Sequence, residues 1–196
     1  MRAGIFISLA FTALATAVAT QDEIPDLPDG WFTGFNHDNG TNTLIFHKTG
    51  QEINFMPRAP TASPAKADVL SKRSGAACWS ALAKLPTAGT DTAIQEWRDT
   101  TSEDLVYVGN GGSGCGDNPD FPPYFGYNSG GVYVYFCFNS NDQAHDSADF
   151  NDVQFATLQM DQSCGAYVPG YYQWDSPSLF GKCASGTSVC VGNSRS

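Results

Sequence analysis

Gly131-Val132-Tyr133-Val134-Tyr135-Phe136-Cys137-Phe138 is the stretch on which the fold turns. Val, Tyr and Phe suit a pleated surface, and a run apolar or aromatic throughout reads as a strand buried on both faces, hence central to its sheet. On its N-terminal side, Gly109 to Pro123 is rich in Gly, Asn, Asp and Pro and reads as a long loop fixed by Cys115. Before that loop, Leu105-Val106-Tyr107-Val108 reads as a strand, and Thr90-Asp91 as the N-cap of a short helix in which Ile94 and Trp97 share a face. On the C-terminal side, Ser147-Ala148-Asp149 opens a helix through about Gln162. Val153, Ala156 and Met160 fall on one stripe of it, and Asp149 and Asp152 suit its positive end. Cys164-Gly165 ends that helix, and Tyr167-Val168 with Tyr171-Tyr172-Gln173-Trp174 supply a further strand or two. Helix, strand, strand, helix, strand predicts an α+β fold: a small antiparallel sheet with two helices on one face, stabilised by disulfides.

The disulfides are expected because all six cysteines (Cys78, Cys115, Cys137, Cys164, Cys183, Cys190) follow the pair Lys72-Arg73. An even count in an exported chain reads as three bridges of open connectivity. Zinc is a poor alternative, since Cys183 and Cys190 are too widely spaced for a knuckle and His145 is the only histidine in that half. No metal or cofactor is expected.

Export itself is written in the first residues. Arg2 precedes an uncharged run from Ile5 to Val18, and Ala17-Val18-Ala19 is a small-x-small cleavage site. An apolar run of about 14 residues falls short of the roughly 20 that span a bilayer, so residues 1–19 read as a signal peptide and the protein as secreted. Residues 20–73 read as a pro-segment. Trp31 to Phe35, Leu44 to Phe46 and Ile53 to Phe55 alternate with the turn signals Asp38-Asn39-Gly40 and Thr49-Gly50, a meander of three short strands. Three such strands are marginal alone, so the segment should lean on something else or be disposable. Asn39-Gly40-Thr41 is a glycosylation sequon at an exposed turn. Residues 57–71 are Pro, Ala and Ser rich, an extended linker ending at Lys72-Arg73, where kexin-type proteases cut. Residues 74–196 are then the mature cysteine-rich domain.

The formal net charge is -10, and after Arg73 only Lys84, Arg98, Lys182 and Arg195 oppose the acids. Nucleic acid and anionic lipid repel such a surface, so neither nucleic-acid binding nor membrane insertion is expected, and a monomer is. An enzyme has little to work with. His145 sits beside Asp142 and Asp146 in a polar loop, where an exposed idle imidazole is ordinary. Paired carboxylates of a glycosidase must converge across a cleft. Asp149 and Asp152 are more simply helix-start acids, and Asp117 and Asp120 turn residues. No catalytic residue is assigned. Aromatics are the surplus, and Tyr171, Tyr172 and Trp174 beside Pro169-Gly170 are the candidate exposed binding residues.

The order of signal, acidic pro-segment, Pro/Ala linker, Lys72-Arg73 and six-cysteine domain resembles the precursors of secreted fungal cysteine-rich effectors. Phe136-Cys137-Phe138, the helix running to Gln162-Ser163-Cys164-Gly165, and Gly181-Lys182-Cys183 are similar in layout to killer-toxin-like effectors. The resemblance covers roughly 60 residues. It implies a secreted, non-enzymatic factor acting by surface recognition on a host protein or cell-wall glycan, or on a competitor, and transfers no binding residues. The alternative is a small secreted polysaccharide hydrolase or carbohydrate-binding protein, with paired acids and aromatic subsites.

Overall fold

The computed structural model describes residues 25–58, 74–79, 82–109, 121–139, 145–190 and 194–195. The expected cleavage sites at Ala19 and at Lys72-Arg73, and with them Cys115, lie outside the described residues. The elements are β1 (Gly30–His37), β2 (Asn42–Phe46), β3 (Gln51–Phe55), β4 (Gly75–Cys78), α1 (Thr87–Glu103), β5 (Val106–Gly109), β6 (Tyr124–Ser129), β7 (Val132–Phe138), β8 (His145–Ala148), α2 (Phe150–Cys164), β9 (Gly170–Gln173), β10 (Ser178–Ala184) and β11 (Ser194–Arg195).

Every residue of β7 is buried, as its composition requires, and the strand lies inside a sheet ordered β3-β2-β1-β6-β7-β10-β9-β4. Neighbours on this path run antiparallel, while β11 pairs parallel with β1. The α+β class with a mostly antiparallel sheet holds, but the sheet has nine strands and is not small. β5, expected as part of it, pairs instead with β8 in a separate two-stranded ribbon. The meander of residues 30–55 forms as its turn signals indicate. It is not an appendage: β1 pairs with β6 from Gly30 to Gly34, so the cysteine-free strands and the cysteine-rich strands form one sheet.

Alternation along the strands sorts their side chains onto two faces. On one face Val132, Val134, Phe136, Phe138, Tyr172 and Phe180 meet Ala93, Ile94 and Trp97 of α1 and Val153, Ala156 and Met160 of α2. Trp97 is the hub. Its ring meets Trp31 and Phe180 edge-on at 5.1 and 5.2 Å, and its Nε1–H donates to the Val134 carbonyl at 2.9 Å. α1 begins at Thr87, three residues before the expected cap. Thr90 is buried, its hydroxyl turned back to the Pro86 carbonyl at 2.8 Å instead of capping. α2 starts at the expected place, where Asp149 and Asp152 each accept the other's backbone N–H in a capping box. Its far end is held to the sheet twice. Cys164 bridges to Cys78 of β4, and fully buried Lys182 of β10 donates at 2.5 Å both to Asp161 and to the Ala166 carbonyl.

The opposite face carries Phe32, Leu44, Phe46, Tyr124, Tyr133, Tyr135, Cys137 and Cys183. No helix lies here. Residues 186–190 pack against it as an irregular strap, Val189 and Cys190 entering the apolar cluster and Cys190 bridging to Cys137 of β7. The strap is tied to the N-terminal strands as well. Asn36 Nδ2 donates to the carbonyls of Val189 and Cys190 at 2.9 and 2.8 Å, and the Arg58 backbone exchanges hydrogen bonds with Gly186 and Ser188. Rings on this face lie over glycines of the facing strand. A Cβ at Gly126 would stand 2.4 Å from Phe32, and one at Gly34 2.0 Å from Tyr124.

Four of the six cysteines therefore pair, as Cys78–Cys164 and Cys137–Cys190. The expected participation of Cys183 in a third bridge is corrected. It is a free thiol, fully buried among the rings of the strap-side face, and burial pushes its pKa well above the ordinary thiol value.

Candidate functional site

Two surfaces carry chemistry. The first is a cavity of about 170 Å³ lined by Phe136, Asp146, Ser147, Asp152, Trp174 and Ser176. It opens where four elements meet: the end of β7, the β5–β8 ribbon, the first turn of α2 and the turn between β9 and β10. Strand alternation in β8 turns Asp146 inward. Its Oδ1 accepts the Ser147 N–H at 2.9 Å, and its Oδ2 accepts the Ser176 and Ser178 hydroxyls at 3.0 and 2.5 Å. Asp152 reaches the cavity from its capping position. Burial raises its pKa above the ordinary carboxylate value, the Asp149 N–H pulls it back, and the charges of Asp149 and Asp146 push it up again. Trp174 forms the wall, edge-on to Phe136 at 6.1 Å and to Tyr172 at 5.3 Å. A carboxyl whose pKa burial raises, a carboxylate ringed by hydroxyls and an indole wall are groups that hold polyhydroxylated ligands.

The second surface is the outward side of α2. Phe150, Phe155 and Leu158 are 36, 47 and 50 % exposed. The other exposed residues of the helix, Asn151, Gln154, Gln162 and Ser163, are uncharged, while half-buried Asp161, one turn on from Leu158, is paired with Lys182. Phe155 is braced from beneath by Tyr172, edge-on at 5.3 Å.

Of the three candidate exposed binding residues, Tyr171, Tyr172 and Trp174, none is exposed. β9 alternates, so Tyr172 is buried under α2 and Trp174 follows it to the cavity. Tyr171 points to the other face, against Trp79 at 6.0 Å. His145 is exposed at the head of β8 and stacks on Phe121 at 5.3 Å, which in turn stacks on Tyr107 at 5.3 Å; it does not line the cavity. Asp117, Asp120 and Asp142 lie outside the described residues. Asn39 stands exposed in the β1–β2 turn, its Oδ1 accepting the Thr41 N–H at 3.0 Å and the Thr41 hydroxyl at 2.7 Å.

In the sequence Asp146 stands only as a neighbour of His145 and Asp152 as a helix-start acid. Ser176 and Ser178, which hold Asp146, carry no local signal. Among the described residues no group of three or more His, Cys, Asp or Glu is placed to hold a metal ion, and no helix is long and apolar enough to cross a membrane. Comparison of the chain with protein-family models, with curated proteins and with solved structures finds no match.

Proposed function

We propose that this is a secreted recognition protein of the effector or toxin-like kind, which binds a host or competitor protein through the outward side of α2. The exposed apolar surface of Phe150, Phe155 and Leu158 carries the reading. Centres of protein interfaces are depleted of charge and enriched in aromatics, and an apolar helix side on an otherwise acidic molecule has that composition. Two disulfide pairs suit an oxidising, extracellular setting. The likeness in layout to killer-toxin-like effectors of fungi points the same way. The test applies the purified secreted chain, and a Phe155→Ser/Leu158→Ser variant, to host tissue and to competitor cells. The native protein provokes a response, and the variant, with an unchanged circular dichroism spectrum, loses at least ten-fold in potency, about 1.4 kcal/mol of binding. Equal potency of the two proteins refutes the reading.

A second reading, a polysaccharide hydrolase or carbohydrate-binding protein, is favoured by the Asp146–Asp152 cavity with its Trp174 wall. Here Asp152 is the proton donor and Asp146 the carboxylate partner. Release of reducing ends from chitin or glucan, abolished by Asp152→Asn and by Asp146→Asn, would establish catalysis. Retention on either polymer without turnover would leave binding alone.

A further inference from the structure

Ser74 is the first residue beyond Lys72-Arg73, and its backbone N–H donates to Asp175 Oδ1 at 2.9 Å. The contact is held in register, because Gly75 pairs with Gln173 and sets Ser74 at the turn that carries Trp174, Asp175 and Ser176. Hydrolysis of the Arg73–Ser74 amide by a kexin-type protease consumes one water, leaves a carboxylate on Arg73 and converts the Ser74 nitrogen to an α-ammonium. The donor already facing Asp175 then carries a full positive charge. Both neighbours of Asp175, Trp174 and Ser176, line the Asp146–Asp152 cavity.

The other side of the cut holds no cysteine, so nothing covalent would keep it. Its non-covalent hold is nevertheless extensive. β1 is an interior strand between β2 and β6. Trp31 packs on Trp97, Phe125 and Tyr127 on the helix side, while Phe32 is fully buried on the strap side. Asn128 Nδ2 donates to the carbonyls of Leu27 and Pro28 at 2.9 and 2.8 Å, and Asn36 holds the strap. Loss of this segment would strip both apolar clusters and leave the β6 edge open.

We infer that cleavage after Arg73 does not release residues 74–196 as a free module. It yields a two-chain protein in which the N-terminal strands stay built into the sheet and Asp175 binds the new α-ammonium of Ser74. This inference is independent of the target proposed above, and it gives maturation a direct contact with the rim of the cavity.

The test digests the purified secreted chain with a kexin-type endoprotease. Native size exclusion of the product gives a single particle containing both chains, which separate only in denaturant. Elution of the N-terminal chain on its own under native conditions, or a 73–74 bond that the protease leaves intact, overturns the inference. Labelling of the Ser74 α-amine as a function of pH, read by mass spectrometry, reports the second half. The amine titrates above the ordinary range of about 7.7–8.0 in the native product and returns to it in Asp175→Asn. Identical titration in the two proteins removes Asp175 from the proposal.

Discussion

The two faces of the sheet are equally dry and are built by different means. On the helix side, Phe180, Val134 and Met160 are fully buried under regular elements that satisfy their own backbone. On the strap side, Phe32, Tyr124 and Tyr135 are as deeply buried, yet their cover in residues 186–190 is irregular chain. Irregular chain must find partners for its peptide groups elsewhere, which is the role of Asn36 and the Arg58 backbone. Each face also has its own disulfide, Cys78–Cys164 on the helix side and Cys137–Cys190 on the strap side. A helix holds a surface by its own periodicity, whereas a strap has to be tied.

The contrast can be broken or sharpened by substitution. The largest effect belongs to Trp97→Ala, which empties the hub of the helix side and loses the bond to Val134. A stability loss of about 3–5 kcal/mol in chemical denaturation is expected, and a loss under 1 kcal/mol would deny the hub. Replacing Cys137 and Cys190 by Ala should cost about 2–4 kcal/mol. It should also speed amide exchange of the strap more than that of α1; a uniform change across both would erase the distinction between the faces. Gly126→Ala drives a methyl into Phe32 and is expected to cost about 1–3 kcal/mol, read as a lowered Tm, with no penalty if the strap side is loosely packed. Asp149→Ala removes the α2 cap and should cost about 1 kcal/mol, measured by urea titration.

The smallest effect is one of pH. The folded state raises the Asp152 pKa, so over the interval above the unfolded value it binds more protons than the unfolded chain does. That contribution to stability is complete below the unfolded value and is lost as pH rises through the folded one. Asp152→Asn keeps an acceptor for the Asp149 N–H but does not titrate. Its Tm should fall less than that of the native protein from about pH 4 upward, and parallel curves would show that neither burial nor the charges of Asp149 and Asp146 raise the Asp152 pKa.

The helix side is the more legible of the two in sequence. α2 announces itself by a cap and a stripe, β7 by composition, and β1–β3 by turn residues, because each signal lies within a few residues of the element it specifies. β6 and β10 do not announce themselves. Gly126 interrupts one, and Gly181-Lys182 the other, and the reasons those residues are tolerated are distant: Phe32 lies over Gly126, and Asp161 meets Lys182. Part of the candidate site is hidden for the same reason. Asp146, Asp152 and Ser176 come from three segments that only the fold brings to one cavity. The outward side of α2 is legible in part, since the stripe of Val153, Ala156 and Met160 takes the inner side and leaves Phe155 and Leu158 off it.

The fastening of α2 is lopsided. At its C-terminal end the Cys78–Cys164 bridge and the Lys182 ammonium, a cation at the negative pole of the helix, act within one turn of each other. The N-terminal end has its capping box and the packing of Val153 and Ala156, fully buried against the sheet, but no covalent tie among the described residues. The helix is therefore cross-linked at one extremity and held by packing along the rest. Phe150 and Asp152 share its first turn, so the outer side of the helix and the cavity meet at that end.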